Sequence, residues 1–508
     1  MWVLDDGDRG WVREMCTELG VGYLCRPAPR QHAKAGNLNH ALQHVSAEVL
    51  LVVDADHAPL PHALERTLGY FDDPKMAFVQ SPQAFFNRSF QHPRRSDDPL
   101  LNEQSLFYDV ICAGKDRNNA TFWCGSSAVL RREALIAVGG IATETVVEDA
   151  HTGMRLHAAG WNSAYHREVL AVGLAPEDAN AFIVQRGRWA AGCYQLLRKD
   201  NPLFIKGLSF RQRIHYMASL LHYLEGPQRL VSLTVPPLAL LTGTVPLVAP
   251  HALYLALFLP QFVLVPSASR AIARGRYRLL DGERFGISRA TAYTKAVGAL
   301  FTSKPIPFAV TPKGSGTEAQ RATILRAPLA LALLAAAGIA YQSAAQLTGL
   351  PGRLPMFAFV VTATWAALSI FFSSAAVRWA AVIRHRRRAH RFAVKLDAYF
   401  TQSGAGLPHR AVTITDLNTF GLAMLAGGPV DVSREIDITI ELDEGSVRVT
   451  GTAVRVHALG NGATAVGLAF APLPASTSDA IARWCFRHPF GPDVVLEPVS
   501  ELALAQAA

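Results

Sequence analysis

Charge is scarce in this chain: Asp, Glu, Lys and Arg make up only 18% of its 508 residues, half of the residues are hydrophobic, and the mean hydropathy is +0.17. A chain of that length exceeds one domain, and one so apolar is not purely soluble; the composition points to a membrane protein with soluble parts. Cysteine is sparse too. The six cysteines, at positions 16, 25, 112, 124, 193 and 485, never form a C-x-x-C pair or fall near a suitable histidine. That spacing indicates neither a zinc site nor a disulfide framework, and the cysteines read as ordinary reduced thiols. A secretory signal is also missing: the first residues, MWVLDDGD, read as a strand running straight into acids, which leads us to expect further sequence upstream.

A net charge of +9 could suggest nucleic acid, but the basic residues concentrate in 270–326 and 378–391, beside apolar runs. Positive charge is expected there from membrane orientation, so no nucleic-acid partner is called for. Residues 1–226 alternate short β-rich runs (MWVLDD, EVLLVVDAD, MAFVQS) with helical stretches such as PHALERTLGYF, the pattern of an α/β domain with a largely parallel sheet. A membrane region is expected over 227–383, with four spans at 230–249, 252–269, 327–346 and 354–377. The loop 270–326 carries Arg270, Arg274, Arg276, Arg278, Lys295, Lys304, Lys313, Arg321 and Arg326, and so faces the cytoplasm. An even number of spans on either side puts the first domain and the tail there as well. Residues 392–475 alternate polar and apolar positions between turns, as a small antiparallel barrel does.

LLVVDADHAP sets Asp54 and Asp56 at the end of a hydrophobic strand, where an α/β sheet opens its binding crevice. Such acids can share a divalent cation with a ligand's phosphates, although a strand end capped by a turn has the same sequence. Asp5 and Asp6 close the first strand in the same way, and Lys34 in HAKAGNLNHAL stands at a helix start that could help hold negative charge, or is an exposed lysine. In VEDAHTGMRLHAAGW, Asp149 precedes a helix that it could cap. FIVQRGRWAAGCYQLLR places Gln185, Arg188 and Trp189 on consecutive turns of a helix; the tryptophan could be a platform for a sugar ring or a membrane-proximal anchor.

In order, DDG, HAKAGNLNHAL, DAD, FWCGSSAVLRR, ETVVEDA and QRGRW, then membrane spans and PFAVTPKG, resemble the processive family-2 glycosyltransferases of the bacterial cellulose synthase type, over about residues 1–400. The resemblance implies a GT-A fold, use of UDP-glucose and Mg²⁺ to lengthen a β-1,4-glucan, and passage of that glucan through the enzyme's own channel in the bacterial inner membrane. By it, Asp5, Asp6 and Asp54 hold the UDP, Asp6 counts with Asp149 among the catalytic acids, and Asp56 ligates the metal beside Asp54. Asp149 aligns with the catalytic base of a TED motif that reads VED here, with Val147 in place of threonine. An inverting transfer needs such a carboxylate to take the proton of the acceptor hydroxyl. Lys34 would meet donor phosphate, while Gln185, Arg188 and Trp189 would hold the glucan end. Phe308, Val310, Thr311 and Lys313 match a gating loop that closes over the nucleotide, within 270–326. The resemblance also implies upstream membrane helices and a periplasmic, membrane-anchored partner subunit.

After the spans, RHRRRAHRF at 384–392 would ordinarily contact lipid headgroups. With DLNTFG at 416–421 behind it, the stretch resembles a PilZ domain, over 384–490, followed by a tail at 491–508. The resemblance implies that cyclic di-GMP, acting as an allosteric activator, meets Arg387, Arg391, Asp416, Asn418 and Gly421, Asn418 standing where such domains have serine. Guanidinium groups suit that ligand, since they pair with guanine or phosphate and stack on the base. The sequence thus leads to a cyclic di-GMP-activated β-1,4-glucosyltransferase, with two alternatives: a synthase of another β-glucan, or a cyclic di-GMP receptor whose transferase domain is inactive.

Overall fold

The computed structural model describes residues 1–87, 89–92, 98, 100–245, 248–276, 278–302, 306, 318–382, 390–402, 410–431, 433, 435–459 and 462–489. Its first half is an α/β domain. Strands β1 (Trp2–Leu4) and β2 (Gly22–Leu24) pair in parallel, and β3 (Val49–Val52), β4 (His57–Pro59), β5 (Met76–Gln80), β6 (Ala84–Phe85), β7 (Ala128–Arg131), β8 (Asn162–Tyr165) and β9 (Ala171–Gly173) follow. One sheet has the order β3-β7-β5-β8 and a second the order β4-β9-β6. β5, expected from the apolar run MAFVQS, and β7 are wholly buried, and Phe78 and Leu130 from them pack with Trp123, Leu135 and Leu156.

β7 departs from the largely parallel sheet expected from the alternation of strands and helices: it runs against both β3 and β5, while β5 and β8 are parallel. Strand direction leaves no mark on an apolar run, so the sequence does not carry it. The reversal has a chemical consequence. The turn Gly125–Ser126–Ser127 that feeds β7 is delivered to the C-terminal end of β3, where the Asp54 N–H donates to Ser126 Oγ at 3.1 Å. In the second sheet His57 pairs with Gly173, and a Cβ on Gly173 would lie 2.3 Å from the imidazole, so only glycine lets that ring lie across β9. Among the described strands β1 pairs only with β2 and β3 only with β7, and their outer edges border the same cleft.

Beyond a 21-residue helix, Ala179–Lys199, the chain enters long apolar helices. Three among the described residues are long and apolar enough to cross a bilayer: His251–Ala273, Arg326–Thr348 and Met356–Ala380. They cover three of the four expected spans. The first expected span, 230–249, falls largely on the helix Glu225–Thr242, which carries Pro236 and Pro237 inside it, has Glu225 and Arg229 in its opening turns and is not among those three. Leu240, Ala335 and Ala366 pack together and tie that helix to the last two spans, small residues allowing close approach. Within the expected cytoplasmic loop, Leu279–Ala296 is a helix that packs Tyr293 and Ala296 against Ala190, Ala191 and Tyr194 of Ala179–Lys199.

The last domain is a closed antiparallel barrel of six strands: β10 (Phe392–Gln402), β11 (Arg410–Asn418), β12 (Gly421–Gly427), β13 (Ile436–Leu442), β14 (Gly445–Ala458) and β15 (Ala463–Phe470), in the order β10-β11-β12-β15-β14-β13. Closure removes free sheet edges. Alternate residues face inward, so Phe400, Ile414, Leu422, Ile438, Val449 and Leu468 form its core, and the helix Ala475–Arg487 adds Ile481 and Trp484. From outside the barrel Phe86, next to β6, joins this core, its ring 5.2 Å from Phe392, 5.3 Å from His390 and 5.5 Å from Phe486.

Candidate active site

The acids and bases singled out in the first half converge on one cleft of about 2580 Å³. Asp5, Asp6, Lys34, Asp54, Asp56, Asp149, Gln185, Arg188 and Trp189 all line it. β3 delivers Asp54 and Asp56 at its C-terminal end. Asp54, Asp56 and His57 each offer a ligand atom within 4.8 Å of the others, and His57 Nδ1 lies 3.1 Å from Asp56 Oδ1. Two carboxylates with an imidazole alongside are a donor set that fits a divalent cation, the carboxylates suiting a hard one.

Opposite stands the helix Glu148–Ala158, with Glu148 and Asp149 in its first turn. Charge at a helix N-terminus is favoured by the helix dipole, yet burial works against it. Burial, together with its neighbour Asp149, pushes Glu148 up to about 7, and burial raises Asp149 as well, while Lys34 and Arg188 oppose both shifts. Lys34, in the first turn of the helix Ala33–Leu42, sits between the two acid groups: its Nζ donates to Asp54 Oδ1 at 2.5 Å and to the Gly125 carbonyl at 2.8 Å. Desolvation lowers the Lys34 pKa, but Asp54, Glu148 and Asp149 outweigh it, so the ammonium stays charged.

Gly125 makes this arrangement possible. Its φ is +88°, and a Cβ there would lie 2.8 Å from Asp149 Oδ2 and 3.4 Å from Lys34 Nζ. Beneath it, Gln80 donates to the Ser126 carbonyl at 2.9 Å and accepts from the Cys124 N–H at 2.8 Å, fixing the turn. Val147 turns its side chain into the protein, where a Cβ on Gly192 would meet Val147 Cγ1 at 2.6 Å, so its role is packing against the Ala179–Lys199 helix.

Asp5 is buried and shapes the rim: it accepts from the backbone N–H groups of Gly7 and Arg9, from the Arg9 guanidinium and from the Tyr23 hydroxyl. The Arg9 guanidinium holds its carboxyl well below the usual range. Asp6 pairs with Arg26 Nε at 2.8 Å and Nη2 at 2.7 Å. On the Ala179–Lys199 helix, capped by Asp178 accepting from the Ala181 N–H at 2.8 Å, the Trp189 ring borders the cleft with the Arg186 guanidinium 4.2 Å from its centroid. Phe308, Val310, Thr311 and Lys313 lie outside the described residues, as does Arg387. In the barrel, bulges break the register between Ala393 and Leu396 and between Ile414 and Asp416, and there Arg391 Nη1 pairs with Asp416 Oδ1 at 2.9 Å. Asn418 donates to the His390 carbonyl at 2.8 Å and accepts from the Phe420 N–H at 2.9 Å, and a Cβ on Gly421 would lie 2.7 Å from Arg391 Nη2.

Sequence reading passed over His57, Gly125, Ser126, Gln80 and Arg26. The first three adjoin or fall within quoted motifs, where their neighbours' charge drew the attention; the last two have no local signal, because their partners are distant in sequence.

Two family profiles match the chain: the one described as glycosyl transferase family group 2 over residues 49–265, and the PilZ domain over 385–487. The cellulose synthase catalytic subunit [UDP-forming] of Pseudomonas fluorescens (strain SBW25) is 36% identical over 444 residues, 86% of this chain and 60% of that protein. The protein of the same description from Xanthomonas axonopodis pv. citri (strain 306) is 42% identical over 231 residues, 45% of this chain and 32% of that one. Cellulose synthase 1 of Komagataeibacter xylinus is 33% identical over 444 residues, 86% of this chain and 28% of that protein. The chain therefore spans 60% or less of the length of these relatives.

Proposed function

From a chain that joins a family group 2 glycosyl transferase domain to a PilZ domain and is homologous to cellulose synthase catalytic subunits, we propose a membrane-embedded glucosyltransferase of GT-A type that extends a β-1,4-glucan from UDP-glucose. The observation that carries this reading is Asp149 beside Lys34 at Gly125, with Lys34 bonded to Asp54 of the Asp54, Asp56 and His57 cluster. Asp149 takes the proton of the acceptor 4-hydroxyl as that oxygen attacks the anomeric carbon, and the C1–O bond to the diphosphate breaks with the electron pair leaving on UDP. Lys34 stays cationic beside the position where leaving-group charge grows. Asp54 and Asp56, with His57 beside them, would hold Mg²⁺, which would supply further charge neutralisation to the diphosphate when bound. Asp5 and Asp6 shape the uridine side through Arg9 and Arg26, and Gln185, Arg188 and Trp189 receive the glucan end.

The domains run 1–226, 227–383 and 384–490, four spans carry the glucan through the inner membrane, and both soluble domains face the cytoplasm. The loop with Phe308, Val310, Thr311 and Lys313 closes over the nucleotide, and cyclic di-GMP at Arg387, Arg391, Asp416, Asn418 and Gly421 shifts that loop towards its open, exchanging state. A periplasmic, membrane-anchored subunit receives the polymer. One observation favours the second reading, a cyclic di-GMP receptor with a silent transferase half: β1 and β3 border the cleft with edges that no described strand pairs.

The test is incorporation of labelled glucose from UDP-glucose into insoluble polymer by membranes carrying this chain, with and without cyclic di-GMP, followed by digestion with a β-1,4-specific cellulase. We expect a cellulase-sensitive product that rises with cyclic di-GMP and falls at least about a hundredfold in Asp149→Asn. Cyclic di-GMP binding with no polymer establishes the second reading, and polymer resistant to the cellulase establishes a different linkage.

A further inference from the structure

Away from the acid cluster, six charged side chains form a linked, electrically balanced set. Glu103, just ahead of the helical turns at Leu106–Cys112, accepts from Arg186 on one carboxylate oxygen and from Arg289 on the other. Arg289 Nη2 also donates to Glu225 Oε2 at 2.8 Å, Arg229 Nε donates to Glu225 Oε1 at 2.6 Å, and Arg229 Nη1 reaches Glu283 Oε2 at 2.5 Å. Three acids meet three guanidinium groups across four segments. At the centre the side chains are almost out of water: Arg186 is 2% exposed, Glu103 9% and Arg289 11%. Burial alone would raise the Glu103 pKa, but Arg186 and Arg289 outweigh it and hold the carboxyl below its usual range.

Net stability is a poor explanation for such a set, because desolvating each charge offsets most of the attraction and apolar side chains of similar volume would pack as well. Registry is a better one. Arg186 is bonded to Glu103, and its guanidinium lies 4.2 Å from the Trp189 ring centroid and 4.9 Å from that of Phe182. One element of the clamp, Leu279–Ala296, follows the candidate span His251–Ala273, and another, Glu225–Thr242, precedes it. Trp189 is therefore backed by a cation whose own place is fixed from the membrane side of the molecule.

We propose that Glu103 and Arg289 are positioning residues for the acceptor: through Arg186 they fix the Trp189 ring against which a sugar stacks, in register with Asp149. This rests on the transferase reading given above. The cluster is built on elements other than β3, whose end carries Asp54, Asp56 and His57, so its loss acts on the acceptor more than on the donor.

Glu103→Gln tests this in membranes by three readings: glucose incorporated per UDP released, polymer length, and the UDP-glucose concentration for half-maximal rate. With the ring free to shift by an ångström or less, polymer formation falls about tenfold, chains shorten, and UDP release exceeds glucose incorporation as water replaces the misplaced acceptor. Half-saturation by UDP-glucose changes less than about twofold, because donor contacts are untouched. Glu103→Asp, which keeps the charge, recovers part of the polymer length. Wild-type chain length and coupling in Glu103→Gln overturn the proposal while leaving the transferase reading intact; absence of polymer and of UDP release in the wild type overturns the transferase reading itself. If Glu103→Gln no longer binds UDP, its fold is damaged, and Arg289→Met, which breaks the clamp from its far side, takes its place: unchanged chain length there overturns the proposal.

Discussion

A methyl group at position 125 would press between the two charges of the proposed chemistry, Asp149 and Lys34. Gly125→Ala is strained by the positive φ and sets its Cβ 2.8 Å from Asp149 Oδ2. We expect transfer to fall at least about a hundredfold and folding to weaken by roughly 1–3 kcal/mol; assays of transfer and of thermal unfolding check the two effects separately. The paired acids predict a pH limb. As the proposed base, Asp149 works only when ionised, and burial raises its pKa, so activity drops as pH falls through a limb above the usual aspartate range. Lys34 pulls both downward, so Lys34→Met moves that limb to higher pH, a change read from rate profiles even where the maximal rate also drops. For stability the sign is opposite. A carboxyl whose folded pKa is raised favours the fold fully below the unfolded value of 4.5 and loses that contribution as pH rises through about 7. The acids of DAD and VED and the helix of QRGRW were legible because each motif is contiguous. Glu103 was not, since its partners stand 83 and 186 positions away and no spacing rule connects them.

At the level of elements, alternation in 392–475 foretold the barrel. The alternation could not show the two bulges or the pairing of Arg391 with Asp416. Arg391→Ala removes that pair and the bond to the Leu468 carbonyl at 2.9 Å, and it should weaken cyclic di-GMP binding by tenfold or more, about 1.5–3 kcal/mol. Calorimetric titration checks this, and binding equal to wild type would remove Arg391 from the ligand site. In the membrane half, apolar length was readable and helix partnership was not. Leu279–Ala296 falls within the expected basic loop, yet Arg284 is buried and pairs with Asp281 at 3.0 Å, and the nearly buried Arg289 pairs with Glu103 and Glu225. Periodicity cannot distinguish a solvated arginine from one whose partner lies on another segment.

Across the whole molecule, the order of domains followed from the run of compositions along the chain, but the contact between first and last did not. Phe86 reads as an ordinary aromatic beside a strand, and only folding shows that it fills a place among Phe392, Phe486 and His390. Phe86→Ala should destabilise the barrel by about 1–2 kcal/mol, less than a fully buried phenylalanine would, seen as faster proteolysis of residues 390–489 in the intact chain. Unchanged cleavage would make the contact incidental. If it holds, the barrel is not a detachable cassette. A barrel transplanted from a relative would meet a hydrophobic plug cut for another socket, so grafts intended to change the signal would have to bring residues 84–87 with them.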